Sequence, residues 1–212
     1  MNSTIEQFNL IIRDTREIST VYQHFNVPNL DDLLRWQWTQ TVSALDKYIH
    51  DVIKLGLTMT YSKQLTPTRS YSNLLIPMSI TGDPILNYSA FEQYIIQKLS
   101  YNSYQTPEKI NEGLSLIWSE EHKWQKIANS LGNDKKYLTN KLKLIAQRRN
   151  QIVHQGDYPS YNLEKESLTL TEVSDVINFI EKLVFNIHKL LQSDFDNRNL
   201  YQKKISNIKN EL

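Results

Sequence analysis

The chain has 212 residues, of which 40% are hydrophobic and 22% charged, and its formal net charge is +1. This length suits one sizeable hydrophobic core and favours a single domain. The absence of cysteine excludes disulfides and any thiolate zinc site. No apolar run approaches the ~20 residues of a membrane span, and the first residues do not resemble a signal peptide, so we expect a cytoplasmic protein without a membrane segment.

Capping residues predict the starts of three helices in the first half of the chain. Asn29, with Asp32 three residues later, begins a helix whose apolar residues recur at steps of three and four until Gly56. Ser89 begins the second helix, with Glu92 as its capping partner. Thr106 begins the third, because proline follows it at the first helical position.

Two further helices are predicted in the second half. Asp134 follows Gly132 and begins a helix that runs to Gly156, where a glycine is typical of a helix end. Thr169 and Glu172 form a capping box at the start of the last helix, which has the most regular apolar stripe of the chain.

Two regions lack a helical pattern. Residues 57–87 contain three prolines and one glycine among many Ser and Thr residues, which indicates an irregular loop inserted between helices. Residues 194–212 are polar and form a tail able to become helical. We therefore predict an all-α bundle with one domain at residues 1–193 and a C-terminal tail at 194–212.

Charge is distributed unevenly along the chain. Between residues 122 and 149, eight Lys and Arg residues stand against Asp134 alone, whereas residues 157–196 hold eight acidic residues and three lysines. A basic surface of this kind would attract a polyanion such as RNA. The alternative is that both stretches are the solvated faces of amphipathic helices.

The sequence from Arg148 to Asp157 reads RRNQIVHQGD and falls in the last turns of the helix that Gly156 ends. At about 100° per residue, Asn150 and His154 share one face of that helix, with Arg149 within reach of them. The same geometry predicts that Ile152 and Val153 turn toward the core.

These side chains suit chemistry on a phosphate. A helix C-terminus favours a cation, so His154 can bind phosphate or donate a proton. Arg149 offers a planar set of donors to phosphate oxygens, and Asn150 can orient the imidazole or a substrate hydroxyl. Together they resemble a ribonuclease site that needs no metal and no cofactor. From spacing alone, the alternative is a helix end whose basic residues satisfy the last carbonyls.

The run from Arg149 to His154 also resembles the signature of the HEPN superfamily, in which four to six residues separate Arg and His and a polar residue follows the Arg. RRNQIVHQGD is similar to the RiboL-PSP-HEPN and MAE-type subfamilies, and the resemblance extends to residues 33–35, 41–51 and 103–108, covering about residues 30 to 190. It implies a homodimeric HEPN-like helical bundle in which two motifs face each other across an RNA-binding cleft. By this resemblance Arg149, Asn150 and His154 are catalytic, and we assign Arg148 and Lys143 to substrate binding.

A second polar stripe lies on the helix after Asn29, where Thr39, Ser43, Asp46 and His50 recur at steps of four, three and four. Asp46 can pair with His50 one turn later. If this stripe faces the motif helix, Asp46 and His50 support the site by orienting a catalytic group. Otherwise the stripe is an exposed polar face.

The resemblance implies a metal-independent endoribonuclease of a bacterial defence or toxin system, with RNA as substrate and an antitoxin or another defence protein as partner. The alternative is a non-catalytic HEPN module that binds nucleotide or protein and serves in dimerisation or sensing. A third hypothesis is a helical scaffold in which Arg149 and His154 only cap a helix.

Overall fold

The computed structural model describes residues 1–25, 30–82, 87–159, 161 and 163–210, and the side chains up to residue 199. All regular elements in these ranges are helical, which confirms the predicted all-α class. No helix of the described ranges is both long and apolar enough to cross a bilayer. The α-helices are α1 (Asn2–His24), α2 (Asp31–Tyr61), α3 (Arg69–Ser72), α4 (Tyr88–Ser100), α5 (Pro107–Ser115), α6 (Lys123–Ser130), α7 (Lys135–Gln155) and α8 (Leu170–Asn210).

Helix α2 is the centre of the bundle. It packs against α1, α4, α5, α7 and α8, and apolar side chains along its length are fully buried: Leu34, Leu45, Ile49, Val52, Ile53 and Leu57. Each such side chain stabilises the fold by roughly 1.5–3 kcal/mol relative to an exposed one. On the side of α7, the indole Nε1 of Trp38 donates a hydrogen bond to the carbonyl of Ile145 at 3.1 Å. The helix that carries the motif is therefore attached to the most buried element.

Gly56 does not end this helix, contrary to the prediction, because α2 continues to Tyr61. A Cβ atom at Gly56 would lie 2.6 Å from Cγ2 of Ile117 and 2.9 Å from Cζ of Phe195. The glycine is thus required by a close approach of neighbouring segments and not by a turn. The predicted cap at Asn29 lies outside the described residues.

Three predicted helix starts are confirmed. The side chains of Thr106 and Asp134 accept hydrogen bonds from backbone N–H groups three residues later, at 3.4 and 3.0 Å. The capping box before α8 is reciprocal: the N–H of Thr169 donates to the carboxylate of Glu172 at 2.8 Å, and the N–H of Glu172 donates to the Thr169 hydroxyl at 3.3 Å. The starts of both α7 and α8 are thus fixed by local sequence.

The predicted cap at Ser89 is wrong. Helix α4 begins one residue earlier, at Tyr88, and Asn87 occupies the capping position without a side-chain hydrogen bond. Helix α1 likewise begins at Asn2 with no side-chain cap, and its buried residues Thr4, Phe8, Ile12 and Thr15 follow helical spacing. The formation of α1 and α4 therefore depends on burial of side chains in the core, because neither helix has a side-chain cap.

Residues 57–87 are largely irregular, as predicted. After α2 ends, the described part of this region holds only the four-residue α3 and a 3-10 turn at Met78–Ile80. Residues 83–86 lie outside the described ranges.

Helix α8 crosses the predicted boundary at residue 193 without interruption and continues to Asn210. Phe195 is 2% exposed and belongs to the core. Arg198 donates hydrogen bonds to the carboxylate of Asp194 at 2.8 Å, to the carbonyl of Thr66 at 2.8 Å and to the carbonyl of Ile117. The start of the predicted tail is therefore packed against the bundle, while a division into domain and tail stays a prediction.

Candidate functional site

Helix α7 ends where the sequence predicts. Gly156 has φ 60° and occupies the left-handed conformation, and its N–H donates to the carbonyl of Gln151. Asp157 follows with φ 68° and donates its N–H to the same carbonyl at 3.3 Å. Because two successive residues are left-handed, the chain leaves the helix and turns at Gly156 and Asp157, two and three residues after His154.

The structure brings Arg149 and Asn150 into contact. Nη1 of Arg149 donates to Oδ1 of Asn150 at 3.2 Å, and Nε of Arg149 is buried without a hydrogen-bond partner. Asn150 and His154 are exposed and lie one helical turn apart. The last turns of α7 therefore present an amide and an imidazole to solvent, with a guanidinium beside the amide.

Val153 does not turn toward the core, contrary to the prediction, because its side chain is 48% exposed. It lies three residues after Asn150 and so shares the exposed side of the helix with that residue. Ile152 does pack against the core and is partly buried. An apolar side chain thus lies on the surface next to His154.

Asp157 is the centre of a buried ion cluster that the sequence analysis did not predict. Its side chain is 0% exposed, and Oδ2 accepts hydrogen bonds from Nε of Arg35 at 2.7 Å and from Nη2 of Arg148 at 2.9 Å. Arg148 also pairs with the carboxylate of Glu166, and Arg35 donates to the carbonyl of Glu166 at 2.7 Å. These four residues, the Asp157 cluster, join α2, the end of α7 and the segment that leads to α8.

The two adjacent arginines of the motif therefore differ in their surroundings. The side chain of Arg148 is 13% exposed and is bonded within the Asp157 cluster, whereas Arg149 lies outside it. Lys143, the other residue assigned to substrate binding, is exposed and its Nζ lies 3.4 Å from a carboxylate oxygen of Glu108 on α5. A role for Arg148 or Lys143 in binding substrate stays a prediction.

Asp46 and His50 are paired as predicted, with His50 Nε2 3.5 Å from Asp46 Oδ1. The carboxylate also accepts hydrogen bonds from the N–H of Tyr104 at 2.6 Å and from Gln105 at 3.0 Å. Burial raises the pKa of Asp46, but the hydrogen bonds from His50, Tyr104 and Gln105 outweigh burial and lower that pKa below its usual value. Tyr104 and Gln105 lie before α5, whereas Asp46 and His50 lie on α2, so these hydrogen bonds connect the two segments. Support of the site by Asp46 and His50 stays a prediction.

The basic stretch at 122–149 does not form one continuous surface. Lys135 and Lys136 are exposed, whereas the ammonium of Lys141 lies 4.9 Å from the ring centroid of Phe179. Burial lowers the pKa of Lys123, whose side chain points inward. Four of the eight cations contact carboxylate or carbonyl groups of the fold: Lys123, Lys126, Lys143 and Arg148.

Two adjoining cavities lie between α7 and α8, with volumes of about 450 and 360 Å³. Both are lined by Lys141 and Asp175, and the larger also by Arg148. Arg149 and His154 line neither of these two cavities. Among the described residues, no group of three or more His, Asp or Glu side chains is placed to hold a metal ion.

Fold and site define an all-α bundle whose seventh helix ends in an exposed Asn and His with an adjacent Arg. The family model of RiboL-PSP-HEPN matches residues 9–193. The chain therefore belongs to the RiboL-PSP-HEPN family, which confirms the predicted HEPN membership. Searches of curated proteins and of solved structures found no match to the chain.

Proposed function

We propose that this protein is a metal-independent endoribonuclease that acts as a homodimer in a bacterial defence or toxin system. The observation that carries the proposal is the end of α7, where exposed Asn150 and His154 lie one turn apart and Arg149 is bonded to Asn150. Membership in the HEPN family supports an RNA-directed function for such a helix end.

The groups match the needs of RNA cleavage by the internal 2′-hydroxyl. In that reaction the bond from the 2′ oxygen to phosphorus forms, and the bond from phosphorus to the 5′ oxygen breaks. The products are a 2′,3′-cyclic phosphate and a free 5′-hydroxyl. Arg149 would stabilise the negative charge that develops on the phosphorane oxygens, and Asn150 would orient the attacking hydroxyl.

Proton transfer explains the need for two subunits. One proton must leave the 2′-hydroxyl while another reaches the 5′ oxygen, and each motif contributes one imidazole, that of His154. A second copy of the chain, facing the first, would supply the second imidazole. The exposed side chains of Val153 and Tyr158, which flank His154, offer apolar surface for such a contact.

The test is cleavage of tRNA and mRNA by the purified protein in the presence of EDTA. We expect the wild type to produce fragments with 2′,3′-cyclic phosphate ends, and His154→Ala and Arg149→Ala to lose this activity. His122→Ala is the matched control, because His122 is an exposed histidine outside α7 and its loss should leave cleavage unchanged. Equal cleavage by the wild type and by His154→Ala would refute the proposal.

The second candidate is a non-catalytic module that binds nucleotide or a partner protein. The observation that favours it is the engagement of Arg148, Lys143 and other cations with groups of the fold, which reduces the charge available to hold a long polyanion. This candidate predicts RNA or nucleotide binding that persists in His154→Ala without cleavage. Growth inhibition on expression, removed by His154→Ala and by a co-expressed antitoxin, would instead support the toxin.

A further inference from the structure

We infer that Asp157 is a positioning residue of the proposed ribonuclease site: together with Arg35 it holds the end of α7, and thus His154, in place. The inference rests on the proposed function, because it concerns the same site. It adds two residues to that site, Asp157 and Arg35, whose side chains are buried and act through their neighbours.

The last turns of α7 contribute no fully buried side chain to the core. The buried residues of this helix are Leu138, Leu142, Ile145 and Ala146, so none follows Ala146 within the helix. From residue 147 to 156 every side chain is partly or fully exposed, and Asp157 is the next buried residue. The proposed catalytic groups therefore lie on a stretch in which Ile152 is the only hydrophobic side chain packed against the core, and helix ends of this kind fray readily.

The backbone of Asp157 is bonded on both sides of the turn. Asp157 lies three residues after His154, at the point where the chain turns. Its N–H donates to the carbonyl of Gln151 at 3.3 Å, and its carbonyl accepts the N–H of Glu166 at 3.0 Å. Fixing Asp157 therefore fixes both the last turn of α7 and the returning segment.

One of the two side chains that bind Asp157 comes from the centre of the bundle. Arg35 belongs to α2, the most buried helix, and its neighbour Leu34 is 0% exposed. Through Nε and Nη2, Arg35 binds the carboxylate of Asp157 and the carbonyl of Glu166, each at 2.7 Å. The ion pair between Arg35 and Asp157 thus connects the end of α7 to the core, although the two residues are 122 positions apart in the sequence.

A carboxylate is needed for this role. Two guanidinium groups converge on one oxygen of Asp157, and an ionised carboxylate accepts both bonds while neutralising their charge. Asparagine has nearly the same shape and its amide oxygen could accept both bonds, but the amide is neutral and would leave the two guanidinium charges without their buried counter-ion. Asp157→Asn should therefore loosen the turn without changing the volume of the site.

The test compares cleavage kinetics of the wild type, Asp157→Asn and Arg35→Gln at a temperature at which each variant is folded. We expect kcat to fall by about 10- to 100-fold, since displacement of a catalytic group by about 1 Å can cost that much, and KM to change less than about twofold. Hydrogen exchange should quicken at residues 150–158 and at Glu166, whose N–H is bonded to the carbonyl of Asp157, and not elsewhere.

The control is Arg198→Gln. Like Arg35, Arg198 is largely buried and bonds one carboxylate and backbone carbonyls, but its partners lie at Asp194, Thr66 and Ile117. It should lose stability and keep the wild-type kcat. The inference is overturned if kcat is unchanged in Asp157→Asn, or if it falls as much in Arg198→Gln.

The experiment also distinguishes a variant that does not fold from a wild-type protein that does not cleave RNA. If Asp157→Asn fails to fold, Arg35→Lys decides, because lysine keeps the charge but replaces the two nitrogens that hold Asp157 and the Glu166 carbonyl with a single ammonium, so kcat should still fall. A wild-type kcat in Arg35→Lys would then overturn the inference. If the wild type cuts no RNA, the proposed function fails. The positioning role is tested independently by hydrogen exchange: unchanged exchange rates at residues 150–158 in Arg35→Gln would overturn it.

Discussion

Replacement of Gly56 by alanine should destabilise this protein, although the same change stabilises most helices. Glycine in a helix interior is less favourable than alanine by about 1 kcal/mol. Here, however, the new Cβ would lie 2.6 and 2.7 Å from two atoms of Ile117 and 2.9 Å from Phe195, well inside ordinary contact distances. One of these atoms is the Cβ of Ile117, which moves only with its backbone.

Such overpacking costs about 1–3 kcal/mol, and the backbone shift places this case at the upper end. After the gain in helix propensity, we expect a net loss of about 2 kcal/mol, which lowers Tm by roughly 4–8 °C for a chain of this size. Urea and thermal unfolding measure both quantities. Asn140→Ala is the control, because Asn140 is exposed on α7 and its replacement should be slightly stabilising. A Gly56→Ala variant as stable as the wild type would show that the close approach is not rigid.

Two further predictions concern the site and its support. If each site needs the His154 imidazoles of both subunits, refolding an equal mixture of wild type and His154→Ala should give about a quarter of the cleavage of the same amount of wild type, because only a quarter of the dimers keep both imidazoles; cleavage of about half would contradict a shared site. Because the folded-state pKa of Asp46 is lowered, its bonds should stabilise the fold above the unfolded-state pKa of about 4 and lose this effect as pH falls through the lower folded value. Urea unfolding of the wild type and Asp46→Asn at pH 7 and pH 3 checks this, and an equal difference at both pH values would refute it.

The motif shows how far adjacent residues can be distinguished from sequence. Arg148 and Arg149 are chemically identical and differ by about 100° around the helix. Helical spacing alone predicts that they point to different sides, but not which side is buried. The structure decides this, because Arg148 faces Asp157 and Glu166 while Arg149 contacts Asn150.

Charge is a second case in which the sequence was only partly informative. The eight cations between residues 122 and 149 suggest a basic surface when they are counted along the chain. In the fold, Lys123 points inward and Arg148 is bonded to buried Asp157. A count along the sequence does not include the acidic partners, which belong to other segments.

The sequence by itself determined the helical class, the family resemblance and the ends of α7, because capping and termination depend on residues within one turn of each other. Asp134 and Gly156 are examples, since each acts on its own helix. Only the tertiary structure decided which residues Gly56, Asp157 and Arg35 contact. Their partners are distant in the chain, with Arg35 and Asp157 separated by 122 positions. Such contacts form because the packing of whole helices brings distant residues together. That packing depends on the sum of many weak apolar contacts, which cannot be read from a local sequence pattern.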